Sequence, residues 1–123
     1  MSATDNDLEI DVVDHGAVVV LVPRLTYLNY VSSDEVKGPL KTACATRVAA
    51  GAKTVVLDLG NVGLVDSCGL SLLISLKKTV ETQGAKLALC GLGPMILRLF
   101  EITKLDRAFA IHADQATAVR DAN

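Results

Sequence analysis

The stretch Thr54 to Lys78, TVVLDLGNVGLVDSCGLSLLISLKK, constrains the fold most, because a buried-strand pattern and a helix start stand side by side in it. Val55, Val56, Leu57 and Leu59 make a nearly continuous apolar run, which is what a strand covered on both faces requires. Gly60, Asn61 and Gly63 end that strand. Leu64 and Val65 return to apolar character, Asp66 and Ser67 offer capping oxygens, and Leu70 to Val80 predict a largely buried helix with Leu70, Leu73 and Ile74 in the core. The first turn of a helix leaves backbone N–H groups unpaired, and its dipole favours negative charge. A phosphate on Ser67 is therefore expected to find free donors, and Gly69, lacking a Cβ, is expected to admit a phosphate or another protein close to the backbone. From the residues alone, the commoner role of Asp66 or Ser67 is a plain N-cap.

The flanking chain supplies a layered support. Leu8, Ile10 and Val12 alternate with acidic residues as a half-exposed strand, Asp14-His15-Gly16 is a turn, and Ala17 to Val22 is a second strand, which together predict an antiparallel hairpin. Pro23 to Asn29 reads as loop or edge strand. Ser32-Ser33-Asp34-Glu35 resembles a capping box, and Gly38-Pro39 predicts a helix that starts twice, its regular part from Pro39, with Val36, Leu40, Ala43, Cys44 and Val48 on one face. After the central helix, Lys86 to Cys90 is a buried strand and Pro94 opens a helix whose Ile96, Leu99, Phe100 and Ile102 face the core. A last short strand through Ile111 leads to a helix capped by Asp114. The expected architecture is a single α/β domain over residues 1–123, ordered from about 8 to 120, with a mixed sheet of four to five strands, an antiparallel amino-terminal hairpin and about four helices. Function in such sheets gathers at the carboxyl ends of the parallel strands, where the loop from Gly60 to Ser67 lies.

Composition excludes several classes. Twelve Lys and Arg against fourteen Asp and Glu give a net charge of −2 with no basic stripe, and aromatics are 3% of the chain. Neither a nucleic-acid surface nor attraction to anionic membranes is expected. The three cysteines form no CxxC pair, so Cys44 and Cys90 read as small buried hydrophobes in a reducing cytoplasm. The polar start MSATDNDLE carries no leader signal, and no run is long enough to span a bilayer. A hydrolase elbow is absent because Val65 stands where its first glycine belongs, and His112 reads as an exposed residue at a strand end; no enzyme activity and no cofactor or metal is expected. A phosphoacceptor receiver using Asp58 would need an acidic pair near Val22-Pro23-Arg24, which offers none.

LDLGNVGLVDSCGLSLLISLKK, followed by GAKLALCGLGPMILRLFEITKLDRAF, resembles the STAS domain of bacterial anti-sigma factor antagonists over Thr54 to Ala118, and the amino-terminal hairpin resembles it loosely. The motif is a strand ending in Asp-Leu, here Asp58-Leu59, then Asp-Ser-(Ser or Thr)-Gly-Leu at a helix start, here Asp66-Ser67-Cys68-Gly69-Leu70. Pro94, Leu105 and Phe109 stand at family-like spacing. The resemblance implies that Ser67 is phosphorylated by a GHKL-type Ser/Thr kinase that is itself an anti-sigma factor, and that a PP2C-type phosphatase reverses this. The unmodified form binds the kinase and frees a sigma factor. It further implies partner contacts at Asn61, Asp66, Ser67, Cys68 and Gly69. Two departures stand out: Cys68 replaces the usual hydroxyl residue, and PRLTYLNYVSS is longer than the Gly-x-x-Asp element of many antagonists. That segment is expected to lie beside Ser67 and to contact the partner through Tyr27 and Tyr30, since Tyr is favoured at interfaces. The alternative is a STAS interaction subunit of a transport or stress-signalling complex that works without phosphorylation.

Overall fold

The computed structural model describes residues 8–122; the polar residues 1–7, expected to carry no leader, lie outside them. Among the described residues the chain runs β1 (Ile10–His15), β2 (Val18–Pro23), β3 (Tyr27–Leu28), α1 (Ser33–Ala49), β4 (Thr54–Asp58), β5 (Leu64–Val65), α2 (Ser67–Thr82), β6 (Lys86–Cys90), α3 (Pro94–Ile102), a 3-10 turn (Leu105–Arg107), β7 (Ala110–His112) and α4 (Gln115–Ala122). The main sheet has the order β1-β2-β4-β6-β7. Its first pair is antiparallel and the other pairs are parallel. This is the expected α/β sheet with its opening hairpin. A second ribbon, in which β3 pairs parallel with β5, was not anticipated.

β4 takes the centre because it is apolar on both sides. Val55 and Leu57 face the larger core, built with α1, α2 and α3, while Val56 faces a smaller one closed by Ala118 of α4. All three are fully buried. α2 lays Leu70, Leu72, Leu73, Leu76 and Val80 on the first core. Ile74, expected there, is exposed instead: one residue beyond Leu73 it is turned by about 100° around the helix, onto the outer side. Ile102 is likewise exposed at the end of α3, whereas Ile96 and Phe100 are buried, and Phe100 meets Phe109 edge to face at 5.7 Å.

Other local expectations shift for identifiable reasons. The hairpin turn is Gly16–Ala17, so His15 belongs to β1 and pairs with Val18. Gly16 takes φ +77°, and its N–H donates to Asp14 Oδ1 at 2.9 Å. Helix α1 does not start twice. It runs continuously through Pro39, with Val36 before the proline and Leu40 and Cys44 after it buried on one face. The capping box does not form either, because the Ser32 hydroxyl turns back and donates to Tyr27 O at 2.7 Å. Cys44 and Cys90 are buried as expected. Burial pushes the Cys44 thiol up to about 11, and burial with Asp58 and Asp114 nearby pushes Cys90 up to about 12.

Candidate functional site

At the carboxyl end of β4 the chain leaves the sheet, forms β5 and enters α2 at Ser67. Asp58, the last residue of β4, is engaged structurally: it accepts from Gly60 N at 2.8 Å and from Gln115 Nε2 at 2.6 Å, tying the loop to α4. Asp66 is the N-cap of α2. Its Oδ1 accepts from Gly69 N at 3.0 Å, and its Oδ2 accepts from Tyr30 N at 2.9 Å. Partial burial pushes the Asp66 carboxyl up, but the N–H groups of Gly69, Tyr30 and Cys68 outweigh that and hold its pKa below the ordinary carboxylate value.

Asp66 therefore joins two parts of the chain that are far apart in sequence. The segment from Arg24 to Ser33 lies against the start of α2: Gly63 N donates to Thr26 O at 2.8 Å, Asp66 N donates to Leu28 O at 3.2 Å, and β3 pairs with β5 between them. Within the segment, Asn29 Oδ1 accepts from Val31 N and Ser32 N at 3.0 and 3.1 Å, and Asn29 N donates to Ser32 Oγ at 3.1 Å. Asn61 is exposed, with a long 3.5 Å contact from its amide to Pro23 O.

Two expectations about this helix end change. Gly69 is buried, and a Cβ there would fall on the Leu28 carbonyl oxygen and 2.9 Å from Val65 Cγ1. The close approach that requires glycine is thus made by the chain's own β3, not by a phosphate or a partner. Of the first-turn donors, the Gly69 N–H is already taken by Asp66 Oδ1. Ser67 itself is exposed at the first position of α2, and among the described residues its hydroxyl has no hydrogen-bond partner. Cys68 is exposed beside it. Cys68 and Ser71 of α2 share a shallow groove of about 220 Å³ with Ser33, Asp34 and Lys37 of α1.

The segment 24–33 and β5, which meet the start of α2, leave large side chains exposed. Tyr27 is 56% exposed, Tyr30 73%, Val31 64% and Leu64 45%. Sequence reasoning found the two tyrosines and missed Val31 and Leu64. The signal for Val31 was present, a Tyr-Val pair beside the polar Ser32 and Ser33, whereas Leu64 was read only as a return to apolar character before the helix. His112, expected to be exposed, is mostly buried, its Nδ1 standing 3.5 Å from Asp121 Oδ2 on α4. It lies at the end of β7, whereas Ser67 opens α2. Among the described residues no helix is long and apolar enough to cross a membrane.

The fold has known counterparts. The chain is 26% identical over 116 residues to the anti-sigma F factor antagonist of Paenibacillus polymyxa, covering 94% of this chain and 95% of that protein. It superposes on an anti-sigma factor antagonist from Mycobacterium paratuberculosis with a TM-score of 0.73 at 24% identity, covering 99% and 98% of the two chains. The Bacillus cell fate determinant SpoIIAA in its phosphorylated form gives a TM-score of 0.63 at 15% identity, covering 94% and 99%. The STAS domain family model matches residues 9–118, and on that match the chain belongs to the STAS domain family.

Proposed function

We propose that this protein is an anti-sigma factor antagonist switched by phosphorylation of Ser67. The observation that carries the reading is an exposed serine hydroxyl, without a hydrogen-bond partner among the described residues, at the first position of a capped helix whose start is met by the segment bearing the exposed Tyr27, Tyr30 and Val31 and by β5 with the exposed Leu64. The likeness to an anti-sigma F factor antagonist and to a fold counterpart solved in a phosphorylated form supports it. In the unmodified state the surface docks on an anti-sigma Ser/Thr kinase of GHKL type and so releases a sigma factor. After transfer of phosphate to Ser67 the complex separates, and a PP2C-type phosphatase restores the binding form.

The switch needs no refolding. A phosphate adds about −1.5 to −2 charges at neutral pH. It stands next to the ionised Asp66, whose Oδ1 already takes the Gly69 N–H, so it is repelled and kept towards solvent. The buried face of α2 is untouched by this, and the fold survives. An interface closed over the neutral hydroxyl does not, since burying an unpaired anion costs several kcal/mol. With ATP and the cognate kinase, wild type is expected to gain one phosphate, mapped by mass spectrometry to Ser67, and to lose affinity. Ser67→Ala is expected to bind and stay bound. Phosphate on another residue, or equal kinase affinity for both forms, rejects the proposal.

A further inference from the structure

At the other end of the sheet a second cavity of about 470 Å³ opens between the amino ends of β4 and β6, β7 and the last turn of α4. Lys53, Thr54, Lys86, His112 and Asp121 line it, and the small side chains of Ala88 and Ala110 leave its floor open. Three features set it apart from an incidental groove.

Thr54 is the one buried polar residue among the described residues, 7% exposed, and its hydroxyl has no hydrogen-bond partner among them. Buried hydroxyls are almost always satisfied, so an unpaired one on the wall of a cavity calls for a ligand. Lys53 and Lys86 flank it, and neither ammonium has a carboxylate within salt-bridge distance among the described residues. Asp121, the acidic residue of the lining, stands 3.5 Å from His112 Nδ1 and 3.3 Å from Arg120 Nε, and the guanidinium partly offsets its charge. A buried hydroxyl on a wall that also carries two lysines without carboxylate partners among the described residues is complementary to an oxygen-rich anion, and the alanine floor suits a small organic body attached to it.

We infer that this cavity is a binding site for a small oxyanion ligand, bearing a phosphate or a carboxylate group, held by the Thr54 hydroxyl and the ammonium groups of Lys53 and Lys86. It is separate from the surface at Ser67 and does not depend on the switch proposed there.

The test is an NMR titration of the full chain with sodium phosphate and with sodium citrate, against sodium chloride at matched ionic strength. Saturable shifts confined to the amides of residues 53–54, 86–88 and 110–112, with those of 66–69 unmoved, are expected for at least one oxyanion and not for chloride. Phosphate alone assigns a phosphate group, citrate alone a carboxylate, and either supports the site. Thr54→Val keeps the branched shape and removes the hydroxyl, so it is expected to fold at least as stably without ligand and to bind about tenfold more weakly. Replacing both lysines, Lys53→Gln with Lys86→Gln, is expected to abolish saturation. No saturable shift with either oxyanion, equal shifts in chloride, or unchanged affinity in Thr54→Val overturns the inference, as does a lower melting temperature of Thr54→Val without ligand.

Discussion

Helix α2 and the segment 24–33 that meets its amino end are built by different means. α2 sinks Leu70, Leu72, Leu73, Leu76 and Val80 into the larger core. The segment sinks Leu28 completely and Leu25 partly, and is otherwise held by hydrogen bonds from Asn29, Ser32 and Asp66 and by the two-residue pairing of β3 with β5. Burial scales with area and tolerates no gap, whereas each such hydrogen bond contributes about 1 kcal/mol net. The helix end is therefore a fixed platform, and the segment is a shaped edge beside it with its large side chains left outward. A chain built this way can change the edge, and with it the partner, without disturbing the core.

The strongest way to break that contrast is through the platform. Leu73→Ala is expected to cost about 2–5 kcal/mol, because Leu73 is fully buried under α2 and the cavity it leaves cannot close. Ile74→Ala, one residue along but exposed, is expected to stay within about 0.5 kcal/mol of wild type. Gly69→Ala attacks the joint itself. Its new Cβ meets the Leu28 carbonyl, so α2 or β3 must shift, at an expected cost of about 1–3 kcal/mol or more. Chemical denaturation of the three variants checks the ranking, and a mild Leu73→Ala or a costly Ile74→Ala would show that the platform is not held by burial.

The same contrast explains what was legible in the sequence. Periodic apolar runs announce themselves, so β4, β6, the buried length of α2 and the proline start of α3 are where the residues place them. Polar tethers do not announce themselves. Whether Ser32 caps a helix or bonds backward to Tyr27 depends on where β3 lies, and β3 exists only because Leu64–Val65 is there to pair with it. Tertiary contact likewise decided the continuity of α1 through Pro39 and the burial of Gly69. The motif Asp66 to Leu70 located the candidate surface, while the apolar rim at Val31 and Leu64 is a property of the assembled edge.

A second test acts on the edge alone. Replacing Tyr27 and Tyr30 together by Ala removes two side chains that are mostly exposed, so stability is expected to move by about 0.5 kcal/mol or less. Binding to the cognate kinase is expected to weaken by about tenfold or more, as for aromatic anchors of an interface. Unchanged binding would make the edge a spacer, and a large loss of stability would mean that its side chains are structural after all.

The finest test concerns the carboxylate that ties edge to platform. In Asp66→Asn the side-chain oxygen still accepts from Gly69 N–H as a good N-cap, but the amide then turns a donor towards Tyr30 N–H, and that bond is lost. Hydrogen exchange at the Tyr30 amide is expected to lose protection, while the amides in the buried length of α2 keep theirs. The pH dependence has a definite sign. The folded-state pKa of Asp66 is lowered, so the carboxylate's contribution is fully present above the ordinary value of about 4 and is lost as the pH falls through the depressed one. The difference in Tyr30 protection between wild type and Asp66→Asn should therefore be constant near neutrality and close only in stronger acid. A Tyr30 amide equally protected in both proteins at neutral pH would mean that packing of Leu28, not the carboxylate, fixes the edge, and the division between a buried platform and a tethered edge would have to be given up.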